Sequence, residues 1–200
     1  LRSAGVEPAG LIAPGVDEDA VIAALETDRG ARMPAADVVA VLARAKAEAV
    51  VGTLVDGEPI DGFILGGDSA FELNGQVYGK PVTANVARER WSGMVGSTGT
   101  LHSGHWVIDH RGGRPGRGAG QVASAEVSFA SDISEADVDA YIATGEPLAV
   151  AGAFTIDGRG QAFISTITGS PSAVIGVSVP ALRTLLGSEF GVDWHEFWNR

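Results

Sequence analysis

The sequence predicts an α/β fold in which helices flank a mixed, twisted sheet. Stretches with helical apolar periodicity alternate with strand-like runs along the chain. Two turn pairs, Asn74-Gly75 and Asp157-Gly158, sit where hairpins would close, and adjacent hairpins require antiparallel neighbours. Apolar residues make up 45% of the chain and charged residues 20%, enough to build a core. Two hundred residues fit one domain, or one domain folded as two lobes around a cleft.

Leu1-Arg2-Ser3-Ala4-Gly5-Val6 reads as the tail of a helix ending at Gly5, so a segment ahead of Leu1 is expected. Val16 opens the acidic stretch Asp17-Glu18-Asp19, which feeds a short helix through Val21, Ile22 and Leu25. Pro34 begins a stronger helix. Val38, Val39, Leu42, Ala45, Ala49 and Val50 line one of its faces, and Lys46 lies at the margin of that stripe. A lysine there either snorkels to water or reaches into a cleft. Residues 60 to 79 read as strands joined at Asn74-Gly75, the favoured type I′ pair. Thr83 caps a helix running to Met94. Leu101 to Asp109 and Gln121 to Phe129 read as antiparallel strands joined by the flexible Arg- and Gly-rich loop 111–120. Ser134 and Asp137 form a capping-box-like start to a helix that stops near Gly145. Ala153 to Ile156 and Gln161 to Ile167 are expected to form a second hairpin, and Pro180 opens a last helix over Leu182, Leu185 and Leu186.

The formal charge of −11 argues against nucleic-acid polymers as partners, while a small phosphorylated ligand needs only a few local cations. With no cysteine, disulfides and thiolate metal sites are excluded, which fits a cytoplasmic protein. No apolar run approaches the length of a membrane span, and no signal peptide is visible.

The densest chemical signal is the run from Gly66 to Pro81. An apolar strand ends in Gly66-Gly67-Asp68, turns through a hairpin and closes on Gly79-Lys80-Pro81. Lys46 and Lys80 are the only lysines, against twelve arginines. Asp68, at a strand end, could hold a metal ion or activate water, or could simply cap its own turn. Lys80 could hold a phosphate, or be an exposed loop lysine. Glu146 in Gly145-Glu146-Pro147 either faces the same cleft or is a surface acid. His102 and His105, three apart in a strand, fall on opposite faces and make a poor metal pair. Neither a cysteine nor a Gly-x-Ser-x-Gly elbow supports a nucleophilic triad, and loop 111–120 lacks the ending of a phosphate loop.

Several pieces together resemble the Maf-like nucleoside triphosphate pyrophosphatases, a family linked to septum formation. Leu1 to Val6 resembles their "LL-x-x-AGI", Val16-Asp17-Glu18 their "DE", and Leu42 to Ala47 their "LA-x-x-KA". Gly66-Gly67-Asp68-Ser69 is similar to "GADT" and Tyr78-Gly79-Lys80-Pro81 to "LGKP". Tyr141 to Pro147, Ala151 to Phe154 and Val174 to Pro180 resemble "Y-x-x-(S/T)GEP", "AGAY" and "NVVGLPL". The match runs in order along residues 1–200 as a single Maf-like domain.

The resemblance implies a two-lobed fold like that of inosine triphosphate pyrophosphatase. It also implies hydrolysis of nucleoside triphosphates to monophosphate and pyrophosphate with a divalent metal, Mg²⁺ or Mn²⁺. Asp68 would be the proton acceptor and a metal ligand, Glu18 a second metal ligand, Lys46 and Lys80 the grip on the triphosphate, and Ser69 the residue linked to base choice. A homodimer is suggested by analogy. The alternative is a nucleotide-binding regulatory homologue linked to septum formation, with little or no turnover. The family's opening Ser-x-Ser-x-Arg segment would precede Leu1 and is absent from the chain. Asp157 stands where thymidine- and uridine-preferring members carry glutamine. Val95 and Ser97 interrupt "SGR", Ala149-Val150 replaces "DK", and Ala173 replaces an asparagine.

Overall fold

Helix α1, Glu18–Arg29, starts where Asp17 accepts the N–H of Ala20 at 3.0 Å and stops where Gly30 turns left-handed (φ 67°). This computed structural model describes residues 1–198. Leu1 to Gly5 is a 3₁₀ turn over Arg2–Ala4 closed by left-handed Gly5. Helix α2, Ala35–Ala49, follows Pro34 at its N-cap. The face it buries carries Ala35, Val39, Leu42, Ala43 and Ala47, with Val50 just beyond. Ala43 and Ala47 therefore replace the expected Ala45 and Ala49, of which Ala49 is exposed.

Two short strands, β1 (Leu54–Val55) and β2 (Glu58–Pro59), pair with each other. The main sheet contains β3 (Phe63–Leu73), β4 (Gln76–Tyr78), β5 (Thr98–Asp109), β6 (Gly118–Phe129) and β7 (Ile164–Thr168), in the order β4-β3-β5-β6-β7. The sheet of this α/β fold is antiparallel. β3 and β4 meet at Asn74-Gly75, both left-handed (φ 52° and 75°) as a type I′ turn requires. Gly62 and His110 exchange backbone hydrogen bonds beside β3 and β5. Asp109 N–H donates to Arg117 O at the β5–β6 turn, and Val127 faces Ile167 across β6 and β7.

Helix α3, Ala84–Met94, is capped by Thr83, whose hydroxyl accepts the N–H of Val86. Helix α4, Glu135–Ala143, has the reciprocal Ser134–Asp137 capping box. Helices α5 (Pro171–Ile175) and α6 (Val179–Phe190) complete the set, with Leu182, Leu185 and Leu186 of α6 buried.

Two expectations change. Gly118 and Gly120 are strand residues rather than loop, because the Trp106 ring lies 2.9 Å and 2.5 Å from where their Cβ atoms would be. Only Ile164–Thr168 of the expected second hairpin is a strand, and its partner is β6. Gly152 and Ala153 are left-handed (φ 73° and 66°), and 3₁₀ turns cover Ala151–Ala153 and Arg159–Phe163. The Glu146 carboxylate takes the N–H groups of Arg159 and Gly160, each at 3.1 Å, so they are not left to pair with a strand.

The chain divides into two compact units. The first comprises residues 1–68, 104–122 and those from 179 on; the second comprises 69–103 and 123–178. In the first, Ala47, Val50, Ile64 and Ile108 form an apolar cluster with Trp106 against it. In the second, Phe71, Trp91, Phe129, Tyr141 and Phe154 stand at the centre of a larger core.

Candidate active site

In the first unit, β3 alternates: Ile64 and Gly66 are buried, and Asp68 is the next residue of the same face. At Gly66 a Cβ would lie 2.2 Å from Ala43 O and 2.7 Å from Ala47 N of α2. Only glycine permits that approach. It brings α2 backbone against the strand, and from there the side chain of Lys46 reaches Asp68.

The Lys46 ammonium lies 2.6 Å from Asp68 Oδ1 and 2.7 Å from Glu18 Oε1. Asp68 is the more enclosed acid, its side chain 13% exposed against 49% for Glu18. Helix ends favour two of the three charges: Glu18 begins α1, and Lys46 lies in the last turn of α2. Burial pulls the Lys46 ammonium toward lower pKa. Its hydrogen bonds to Asp68 and Glu18, together with their charges, outweigh that and hold it above its ordinary 10.5. Lys46 is thus a cation held between two carboxylates. Sequence periodicity alone places Lys46 only at the margin of the apolar stripe.

Those carboxylates are also the oxygen donors a divalent ion would use. Among the described residues no group of three or more histidines and acids is placed to hold a metal. Two carboxylates nevertheless suit an ion of the magnesium type, which takes its remaining ligands from water and a polyphosphate. The donor set fits.

Ser69 and Lys80 belong to the second unit. Ser103 Oγ donates to Ala173 O at 2.7 Å, so its contact of 2.8 Å with Ser69 Oγ must use its lone pair. Ser69 is therefore the donor to Ser103, and its own free lone pairs can accept from a ligand. Ser103 carried no signal in the sequence; a serine inside a strand is common. Lys80 is exposed and has no ion pair among the described residues. The structure thus brings Glu18, Lys46 and Asp68 together in one unit, and positions Ser69 and Lys80 within the other.

Glu146 is a structural acid, as its two backbone bonds indicate. Burial works to raise its pKa, but the N–H groups of Arg159 and Gly160 and the charge of Arg159 hold it below its ordinary 4.5. His102 bonds Ser124 Oγ at 2.8 Å, His105 contacts Gln121 O and His110 contacts Ile60 O, so the histidines are dispersed.

Comparison with known proteins bears on this arrangement. The chain is 54% identical over 200 residues to a nucleoside triphosphate pyrophosphatase of Leifsonia xyli subsp. xyli (strain CTCB07), covering 100% of this chain and 91% of that protein. It is 48% identical over 198 residues to the protein of the same name from Rhodococcus opacus (strain B4), with 99% and 89% covered. For Nocardia farcinica (strain IFM 10152) the identity is 45% over 199 residues, with 100% and 90% covered. The family described as Maf-like protein matches residues 1–189. With an acid–lysine–acid cluster on the "GADT"- and "KA"-like segments and a match of that extent, the chain belongs to the Maf-like protein family.

Proposed function

We propose that this chain is a nucleoside triphosphate pyrophosphatase of the cytoplasm that releases nucleoside monophosphate and pyrophosphate. The observation that carries the reading is the Lys46 ammonium shared between Asp68 and Glu18, in a chain whose relatives carry that activity in their names. Asp68 is the proton acceptor for the attacking water. The water oxygen bonds to the α-phosphorus, the bond from that phosphorus to the bridging oxygen breaks, and the water proton passes to the carboxylate. The electron pair leaves with pyrophosphate. Lys46 and Lys80 bind the polyphosphate as point charges, and a cation already held in place needs no reorganisation as charge develops. Glu18 and Asp68 would hold a divalent ion, which supplies charge neutralisation across the phosphates when bound. The free lone pairs of Ser69 bear on base choice, because they favour a base edge that offers an N–H.

The test incubates purified protein with a panel of nucleoside triphosphates and Mg²⁺ or Mn²⁺, then measures monophosphate and pyrophosphate. Equal yields of the two, lost with chelator and in Asp68→Asn, are the expected result. Orthophosphate as the sole inorganic product would overturn the reading, and so would tight nucleotide binding without products.

A further inference from the structure

Lys80 is exposed, yet the backbone that carries it is tied down at both ends. The Gly79 carbonyl, one bond before Lys80, accepts from Arg90 Nη1 at 2.5 Å and from the N–H of Gly152 at 3.2 Å. Both of its lone pairs are therefore used. Because the peptide is planar, fixing that carbonyl fixes the N–H and Cα of Lys80 as well. The Arg90 guanidinium also lies over the Tyr78 ring, 5.1 Å from its centre. After Lys80, Pro81 is buried and Val82 is left-handed (φ 65°), its N–H donating to Leu148 O at 3.3 Å. A β-branched residue seldom adopts that conformation, and Val82, 74% exposed, gains little packing to offset it. The conformation is imposed by the surroundings.

The next residue of α3 reinforces the first tie. Trp91 Nε1 donates to Ala153 O at 2.9 Å and so holds the left-handed Gly152-Ala153 turn, whose Gly152 N–H reaches Gly79. A Cβ at Gly152 would meet Phe71 Cβ at 2.7 Å, so this turn cannot be loosened by an ordinary side chain. Two consecutive helical residues thus converge on one carbonyl, Arg90 directly and Trp91 through a turn.

We propose that Arg90 is a positioning residue that presets Lys80 for an incoming polyphosphate, with the strained Val82 as the second fixed point of the same brace. The proposal rests on the reading of Lys80 as a phosphate grip. It differs from a stabilising role for Arg90, because it requires the effect of Arg90 to pass through the Lys80 ammonium.

The experiment compares Lys80→Met, Arg90→Met, Arg90→Lys, Val82→Gly and the Lys80→Met/Arg90→Met double variant with the unaltered chain. It measures pyrophosphate release from nucleotides, calorimetric affinity for inorganic tripolyphosphate with Mg²⁺, and melting temperature. Lys80→Met is expected to weaken both function readouts by about a hundredfold and Arg90→Met by about tenfold. The double variant should be no worse than Lys80→Met alone. Arg90→Lys should recover most of the loss, since an ammonium can still donate to Gly79 O. Val82→Gly should raise the melting temperature while weakening tripolyphosphate binding, opposite signs that a purely structural part would not give. Multiplying losses in the double variant would mean that Arg90 acts independently of Lys80, and would overturn the proposal. So would an Arg90→Met protein with unchanged affinity beside a weakened Lys80→Met. An indifferent Lys80→Met overturns the grip reading and the brace with it. Absent turnover combined with the expected pattern in tripolyphosphate affinity sinks only the hydrolytic reading.

Discussion

The two units hold their helices by opposite means. In the first, α2 sits on strand backbone with glycines between: a Cβ at Gly66 would lie 2.2 Å from Ala43 O, and one at Gly104 2.1 Å from Val39 O. In the second, large rings fill the space. Phe71, Phe129 and Phe154 meet edge to face at 5.0 to 5.9 Å between centres, and Trp91 contacts Phe129, Tyr141 and Phe163 at 5.5 to 5.7 Å. The glycine seam uses little apolar area and sets a distance, which is what a lysine on α2 needs in order to reach an acid on β3. The aromatic core gathers many more buried apolar residues, whose removal from water stabilises its unit. One unit is built for placement and the other for cohesion.

Four changes test that contrast. Asp68→Asn should reduce pyrophosphate release by about 10⁴-fold, about 5 kcal/mol of transition-state stabilisation, with a much smaller loss of stability from the weakened pair with Lys46. A comparable loss of stability would put the charged cluster among the determinants of folding. Phe129→Ala should cost about 4 kcal/mol in urea unfolding while turnover per folded molecule survives. If turnover disappears in the folded fraction, the aromatic core does more than hold its unit together. Gly66→Ala should cost about 2–3 kcal/mol, since the clash is with helix backbone, and should also lower activity by moving Lys46. Normal activity in a folded Gly66→Ala protein would break the link between seam and site.

Glu146→Gln should have the smallest effect, a modest loss of stability near neutral pH that fades as the medium is acidified. A carboxylate held below its ordinary 4.5 contributes stability that is present above that value and is lost as pH falls through the folded pKa. The variant should therefore lose less stability than the parent below about pH 4.5, with unaltered activity. Equal acid profiles would remove Glu146 from the structural account.

The features most legible in the sequence are those decided within a few residues. The Asn74-Gly75 turn, the Thr83 cap and the Ser134–Asp137 box depend on local chemistry and stand where the residues put them. What depends on distant partners was less legible. Asp157-Gly158 looks like a hairpin turn, but Glu146, thirteen and fourteen residues from the N–H groups it binds, redirects that segment. Gly118 and Gly120 look like loop until the ring of Trp106 is placed beside them. For the site, motif resemblance named Glu18, Lys46 and Asp68, and only coordinates show one ammonium between two carboxylates. Arg90 had no signal beyond its position on a helix face, because its partner is a backbone carbonyl and any residue carries one.

Trp91, fully buried, is the only one of the four tryptophans in the second unit; Trp106, Trp194 and Trp198 all belong to the first, and Trp198 is 53% exposed. Nature has therefore built an optical reporter into each half of the chain. A dry indole emits toward the blue and a wet one toward the red, so denaturant titrations followed at both edges of the fluorescence spectrum can time the two losses of structure separately. Coincident midpoints would make the molecule one cooperative folding unit, whereas displaced midpoints would reveal a half-folded species with one fluorophore still shielded.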